Sequence, residues 1–172
     1  MIDPFLYPVK TTFRQRVCHW VIVDRSEVKP LLFCDFEGVC LIEAINRLLV
    51  ACKEHGEKEK RDYIYVYSFS LSWEEYNQKP IFKIKRNKVH HKFKPSGIAI
   101  HPNGNIYILS SVSKSLLVIS TSGDILENYN LNPSIFNQPE GITFTTEGDL
   151  YVVNEKKSNG PTLLYFKRIE NK

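Results

Sequence analysis

The 172 residues contain no membrane-spanning run and no recognisable export signal. No stretch approaches the roughly 18 consecutive apolar residues that a spanning helix needs. Residues 1–17 lack the basic-then-apolar order of a signal peptide. From these absences alone we expect a soluble chain that is not exported.

Sequence motifs of common enzymes are also missing. The chain has no G-x-S-x-G, no H-E-x-x-H and no P-loop. We interpret His55, His90, His91 and His101 as loop residues, because none stands beside a serine or cysteine in the apolar setting that a nucleophilic pair requires. The sequence therefore offers no complete catalytic constellation, and a protein without catalytic activity is the leading expectation.

Cysteine is scarce, and its spacing excludes the familiar metal sites. The four cysteines, Cys18, Cys34, Cys40 and Cys52, form no C-x-x-C pair and no zinc-type pattern with histidine. Cys40 and Cys52 each lie within an apolar run. Buried free thiols are therefore predicted at both positions in preference to a disulfide.

The composition is that of a folded domain with a modest basic excess. Hydrophobic residues make up 42% of the chain and aromatic residues 12%, which is enough to fill a core. The net charge is +4, and the basic residues cluster between positions 79 and 94. We interpret this cluster as a solvated outer strand and loop, where charge also discourages strand-to-strand aggregation.

An internal repeat is the strongest signal in the chain. The segment SGIAIHPNGNIYILSS at 96–111 aligns without gaps on EGITFTTEGDLYVVNE at 140–155, placing Gly97 on Gly141 and Tyr107 on Tyr151. A degenerate third copy, EGVCLIEAINRLLVACK, occupies 37–53. Each copy is a pair of apolar strands around a tight turn, and further short strands follow it.

Repeats of about 40 to 45 residues with four strands each are typical of β-propeller blades. The fold prediction is thus an all-β, β-propeller-type partial ring of about three and a half four-stranded blades. The blades are expected at about 35–93, 94–138 and 139–172. Residues 1–34 fit the pattern poorly and are interpreted as outer strands of a preceding blade.

The segments KPSGIAIHP and QPEGITF, with DFEGVCL and RLLVACKE upstream, resemble the SdiA-regulated family of bacterial β-propeller proteins and, more loosely, the NHL repeat. The resemblance covers roughly residues 34–168. It implies a six-bladed propeller, commonly exported or attached to the cell envelope, with a poorly defined biochemical activity. The resemblance implies export, whereas the sequence shows no signal peptide, so the two expectations for localisation disagree.

Residues at equivalent positions of the repeats are the candidates for function. The first strand of each blade lines the central channel, so the residue before its glycine is expected at a channel mouth. The candidates at the start of the first strand and the end of the second strand are Glu37, Ser96, Glu140, Lys53, Ser111, Glu155 and, beside the last of these, Asn154.

Two functional hypotheses follow from these positions. The first is a binding or interaction scaffold without catalytic activity, in which the channel-mouth residues contact a ligand or protein partner. The second is a lactonase-like or esterase-like hydrolase, in which Glu37, Glu140 and Glu155 hold Ca²⁺ or Mg²⁺. A structural alternative competes with both, because a polar residue at a strand entry can satisfy backbone donors of the neighbouring blade.

The expected partners are equally general. Nucleic acid is not the expected partner, since RNA binding would rest only on the basic residues Lys83, Lys85, Arg86, Lys88 and Lys92. The last blade lacks a fourth strand, and an exposed strand edge invites pairing. Self-association with a second copy is one way to cover that edge.

Overall fold

Short antiparallel strands are the main regular structure of the described residues. A computed structural model describes residues 34–73, 75–157 and 160–169, and within these residues it contains twelve β-strands and no α-helix. The strands are β1 (Cys34–Ile42), β2 (Arg47–His55), β3 (Tyr63–Ser70), β4 (Glu75–Tyr76), β5 (Phe82–Lys85), β6 (Gly97–Ile100), β7 (Ile106–Ser110), β8 (Ser115–Ile119), β9 (Ile125–Asn130), β10 (Pro139–Phe144), β11 (Leu150–Lys157) and β12 (Gly160–Phe166). Three 3-10 turns cover Glu43–Ile45, Lys58–Lys60 and Arg86–Lys88.

The strands form three separate sheets, which we call the first, second and third blades. The first blade runs in the order β1-β2-β3, with both β4 and β5 paired to β3. The second blade has the order β6-β7-β8-β9, and the third has the order β10-β11-β12. Every pairing is antiparallel, so each blade is a simple meander. The predicted all-β, blade-type architecture is confirmed.

The outer strand of the first blade is interrupted. β4 and β5 both pair with β3, and the chain between them stays close enough for Asn77 and Ile81 to donate backbone hydrogen bonds to Ser68 and Val66. Pro80 lies in this interval and has no N–H to donate, which suits an edge strand. The segment PIFKIKR at 80–86 therefore forms a strand only at β5.

The second blade is packed on both faces, which explains its long apolar runs. Neighbouring residues of a strand point to opposite faces, and both Ile108 and Leu109 of β7 are fully buried. Ile108 packs into a core shared with the first blade, where it joins Leu49 and Ile64. Leu109 packs into a core shared with the third blade, where it joins Val152.

Glycine allows the inner strands of neighbouring blades to approach closely. A Cβ atom added at Gly38 would lie 3.0 Å from the backbone of Gly97, and one added at Gly97 would lie 3.0 Å from the carbonyl oxygen of Glu140. Of the described residues, a Cβ at Gly141 would meet only Val153 of its own blade, at 3.5 Å. The repeated glycine thus marks a joint between blades that is formed twice in the described residues and is open at Gly141.

The cysteine prediction is wrong for Cys52. A disulfide joins Cys34 to Cys52, whose Cα atoms are 5.5 Å apart across β1 and β2. The two residues are 18 positions apart in sequence, and the antiparallel hairpin brings them side by side. Cys40 is a free thiol as predicted, and burial raises its pKa to about 12.

His55 is also placed differently from its prediction as a loop residue. It is the last residue of β2, only 2% exposed, and its Nδ1 accepts a hydrogen bond from the backbone N–H of Glu57. Burial lowers the pKa of its imidazole.

The segment proposed as outer strands of a preceding blade lies outside the described residues, except for Cys34, which begins β1. Among the described residues, no helix is long and apolar enough to cross a membrane.

Candidate ligand site at the channel mouth

The inner strands of the three blades lie next to one another. β6 packs between β1 and β10, and at the start of β6 Gly97 lies against Gly38 of β1 on one side and against Glu140 of β10 on the other. We call this end of the inner strands the channel mouth. The residues that precede the repeated glycines, Glu37, Ser96 and Glu140, therefore all lie near this end.

Both glutamates stand where the strand ladder is irregular. Between the pairs Asp35–Glu54 and Gly38–Ala51, Glu37 of β1 and Lys53 of β2 are both left out of the ladder, and the register is the same on either side. In β10, Pro139 pairs with Asn154 and Gly141 with Val153, which makes Glu140 an extra residue and the site of a β-bulge. A bulge re-aims a side chain out of the normal alternation of the strand, here at the start of β10.

A depression of about 530 Å³ lies at the channel mouth. Its walls come from the first and third blades and consist of Glu37, Lys53, Gln138, Glu140, Val153 and Glu155. All three predicted carboxylates and the predicted lysine therefore line one depression. Its formal charge is negative, since three carboxylates face one ammonium group.

Lys53 and Glu37 form the best-defined contact in the depression. The Lys53 Nζ donates to Oε1 of Glu37 at 2.6 Å, and both side chains are about one-third exposed. This hydrogen bond is the main reason that the pKa of Lys53 is raised, and the charges of Asp35 and Glu140 act in the same direction against the opposing effect of burial. Glu140 of the third blade thus lies close enough to influence a lysine of the first.

The other two carboxylates of the depression, Glu155 and Glu140, differ in their hydrogen bonds. Glu155 accepts a short hydrogen bond from Nε2 of Gln138, and its backbone N–H donates to the carbonyl of the same glutamine. Within the described residues, no hydrogen bond or ion pair involves the Glu140 carboxylate. Glu140 is therefore the group in the depression that is best able to accept a new partner.

Ser96 has a structural position. It is 2% exposed, its hydroxyl donates to the carbonyl of Pro139 at 2.7 Å, and the same oxygen accepts the N–H of Ser111 at 3.0 Å. The carbonyl of Ser111 accepts a hydrogen bond from Lys114. Ser96 thus joins the second and third blades, Ser111 is bonded within the second blade, and neither lines the depression.

Asn154 is likewise inside the fold. It is 1% exposed, and its Nδ2 donates to the carbonyl of Ile135 at 3.0 Å and to Oγ1 of Thr162 at 2.8 Å. Its Oδ1 is buried without a hydrogen-bond partner. These contacts tie β11 to β12 and to the segment that leads into β10, behind the wall of the depression.

The arrangement is not a ready-made metal centre. Among the described residues, no three His, Cys, Asp or Glu side chains lie close enough together to hold a metal ion. Glu37 would have to leave Lys53, and Glu155 would have to leave Gln138, before either could ligate a cation. The assignment of Glu37, Glu140 and Glu155 as Ca²⁺ or Mg²⁺ ligands stays a prediction.

Two wall residues, Gln138 and Val153, were not among the sequence candidates. Val153 is a strand residue indistinguishable by pattern from its neighbours. Gln138 precedes the inner strand by one residue, at a position where the other copies carry Asp35 and Lys94. The polar character of that position is the signal that points to it.

Comparison with known proteins identifies both the family and the fold. The chain matches the SdiA-regulated family over residues 33–166. No curated protein matches it significantly.

Solved structures with a similar fold include a luciferin-regenerating enzyme (19% identity, TM-score 0.51, 69% of this chain and 37% of that chain). They also include a nidogen/laminin complex (17%, 0.52, 76% and 43%) and a glucose dehydrogenase (13%, 0.51, 78% and 45%). The chain therefore spans less than half the length of these structures, and at such identities the likeness concerns the fold alone. With most of its length matched to one family and with β-propeller structural neighbours, the chain belongs to the SdiA-regulated family of β-propeller proteins.

Proposed function

We propose that the chain is a binding scaffold without catalytic activity, and that its channel-mouth depression receives a positively charged group of a ligand or partner. The supporting observation is the charge of the walls, where three carboxylates from two blades face a single lysine. Glu140 has no side-chain partner of its own among the described residues, so a protonated amine or guanidinium can form a charge-assisted hydrogen bond with it.

Titration calorimetry with spermidine at low salt tests this proposal. Wild-type protein is expected to bind spermidine and not free glutamate. Replacing Glu140 by Gln keeps the shape of the wall and removes its charge, and we expect affinity to fall about tenfold because one charge-assisted bond is lost. The matched control is E127Q, an exposed glutamate of β9 away from the depression. Equal affinity in wild type and E140Q would reject the site.

The hydrolase hypothesis has one supporting observation, namely that its three predicted ligands line the same depression. Thermal melts with Ca²⁺ or Mg²⁺ distinguish it from the scaffold. A metal-induced rise in Tm that disappears in E140Q, together with metal-dependent hydrolysis of a lactone or ester, would favour the hydrolase. A Tm that changes with neither ion would favour the binding scaffold over the hydrolase.

We also infer that the protein works outside the cytoplasm, in the cell envelope. Two points support this: the resemblance to a commonly exported family, and the Cys34–Cys52 disulfide, since disulfides persist in oxidising compartments. Cell fractionation combined with thiol labelling tests it. Protein recovered from the cytoplasm with Cys34 and Cys52 fully alkylated would contradict it.

Finally, we propose that a second copy of the chain completes the ring. Among the described residues, the inter-blade joint is formed at Gly38 and Gly97, and no other blade contacts Gly141, so the third blade presents the same surface that the first two use to bind a neighbour. Apolar side chains beside this surface are exposed, among them Val153 and Leu163 of the third blade and Val39 and Leu41 of the first. In a two-fold dimer each first blade would cover the third blade of its partner.

A further inference from the structure

A second cavity lies at the same end of the first blade but at its periphery. It has a volume of about 310 Å³ and opens between the start of β3 and the end of β5. The charged residues in its wall are Arg61, Lys85, Arg86 and Asp62, and His91 also lines it. Three permanently basic side chains therefore face a single carboxylate, and the charge of this cavity is opposite to that of the channel-mouth depression.

Arg86 is the unusual member of this wall. It is only 7% exposed, and its guanidinium donates to the backbone carbonyls of Arg61 at 2.6 Å and of Lys53 at 3.2 Å. Its Nη1 is buried and has no hydrogen-bond partner among the residues that the structure describes. The partners of this charged group are thus neutral carbonyls, and one of its donor nitrogens is unused.

No carboxylate of the described residues forms an ion pair with Arg86. Asp62 contributes its backbone carbonyl, which accepts the N–H of Arg86, and Glu54 is engaged by Lys94 at 2.6 Å. Burial lowers the pKa of the guanidinium, and the charges of Glu54 and Asp62 act in the opposite direction without a direct contact. A buried charge without a counter-ion is costly, and an anion held nearby would offset that cost.

The neighbouring basic groups are positioned to share such an anion. The Arg61 side chain is fixed at the cavity wall by hydrogen bonds from Nε to the carbonyl of His55 and from Nη2 to that of Gly56. Lys85 is the last residue of β5, with an exposed side chain. Asn87 adds an amide to the same wall. Guanidinium and ammonium donors that converge on one small cavity suit the oxygens of a phosphate-type group.

We propose that this cavity, walled by Arg61, Lys85 and Arg86, is a binding site for the phosphate or similar oxyanion group of a small molecule. Its volume is at the lower end of the roughly 300–1,000 Å³ typical of ligand pockets, which limits the ligand to a small one. The site is independent of the channel-mouth proposal, because the two cavities share no wall residue and prefer ligands of opposite charge.

The test measures binding of inorganic phosphate to the full chain by isothermal titration calorimetry at constant ionic strength, with chloride as the balancing anion. Wild-type protein is expected to bind phosphate at one site and to show a higher Tm in phosphate than in chloride. K85Q removes a charge from an exposed position, so it should fold normally, and we expect its affinity to fall about tenfold. K79Q is the matched control, because Lys79 is exposed and lies outside the cavity wall.

A second variant, R86K, and a second probe, RNA, distinguish a specific phosphate site from general charge attraction. R86K keeps the charge but loses the hydrogen-bonding fork, so a folded R86K protein should bind phosphate more weakly than wild type. If K85Q and K79Q lose the same amount of phosphate affinity, the effect comes from general surface charge, and the proposed site is wrong. An oligouridine RNA is the second probe. RNA binding that depends equally on Lys85 and on Lys88, with no binding of phosphate, would also overturn the proposal, since Lys88 is not in the cavity wall.

Discussion

The hydroxyl of Ser96 donates a hydrogen bond of 2.7 Å to the carbonyl oxygen of Pro139, and this buried contact joins the second blade to the third. Replacing Ser96 by Ala would leave that carbonyl and the N–H of Ser111 without their partner. We expect a loss of about 1–3 kcal/mol in the free energy of unfolding. Urea denaturation measures it, and S134A, an exposed serine, is the control. A change within error of S134A would mean that the contact adds nothing.

The glycine joints predict a contrast between two equivalent positions. G97A places a methyl group 3.0 Å from the carbonyl oxygen of Glu140, whereas G141A meets only Val153 at 3.5 Å. Forcing backbone apart in a packed joint costs about 1–3 kcal/mol, so G97A should lower Tm by several degrees. G141A should leave the Tm of the single chain nearly unchanged. Equal effects would show that the joint does not depend on close approach.

Ring completion by a second copy predicts a mass in solution twice that of one chain. Native mass spectrometry and light scattering across a dilution series measure it. G141V blocks the open joint with a larger side chain and should shift the protein toward the monomer, whereas V112A, at an exposed valine between β7 and β8, should not. A wild-type protein that is monomeric at all concentrations would reject the dimer.

The disulfide closes a loop between residues 18 positions apart. Chain-entropy arguments give about 3 kcal/mol for a loop of this size, so the C34S variant or treatment with a reductant should lower Tm. C40S serves as the control, because its thiol is not bonded. Peptide mapping without reduction should recover Cys34 and Cys52 in one linked fragment. Two separately alkylated cysteines in the oxidised protein would contradict the pairing.

Glu54 and Lys94 link the first blade to the segment that enters the second. The Lys94 ammonium, 2.6 Å from Oε2, lowers the pKa of Glu54 from its usual 4.5. A carboxyl group with a lowered pKa in the folded state adds stability above its unfolded pKa and loses it as the pH falls through the folded value. The Tm of wild type should therefore exceed that of E54Q at neutral pH, and the two should converge in acid.

The size of this difference is small because both side chains are exposed by more than one-third. A surface pair contributes at most about 1 kcal/mol, and salt should reduce it. E59Q, which removes an exposed carboxylate in the first blade, is the control for a general charge effect. A pH profile for E54Q that runs parallel to wild type down to strongly acidic solution would contradict the assignment.

The sequence predicts the blade architecture because the residues that pack between blades recur at equivalent positions of the repeat. Gly97 aligns with Gly141, and the alternating apolar residues that follow each glycine are those that fill the cores between blades. The sequence does not predict the interruption between β4 and β5. The spacing of apolar residues in PIFKIKR does not indicate where this edge strand stops pairing with β3.

The candidate site is predictable only in part. Positional equivalence predicts Glu37, Lys53, Glu140 and Glu155 at the channel mouth, and all four line the depression there. The repeat does not predict that Ser96 bonds to Pro139 in the joint between blades, or that Asn154 points inward and bonds to Thr162. Both contacts depend on how closely the surrounding strands pack. The disulfide escaped notice for a related reason, since its pairing needs the register of a hairpin with an irregular ladder.

The bulge at Glu140 has a consequence for how β10 tolerates substitution. A residue that is extra to the ladder has no cross-strand partner and takes no share in the alternation that fills the core. Its identity can change without disturbing the blade behind it. The packing of the third blade and the charge that it presents at the channel mouth therefore depend on different residues of the same strand, so a single substitution can reverse that charge and leave folding intact.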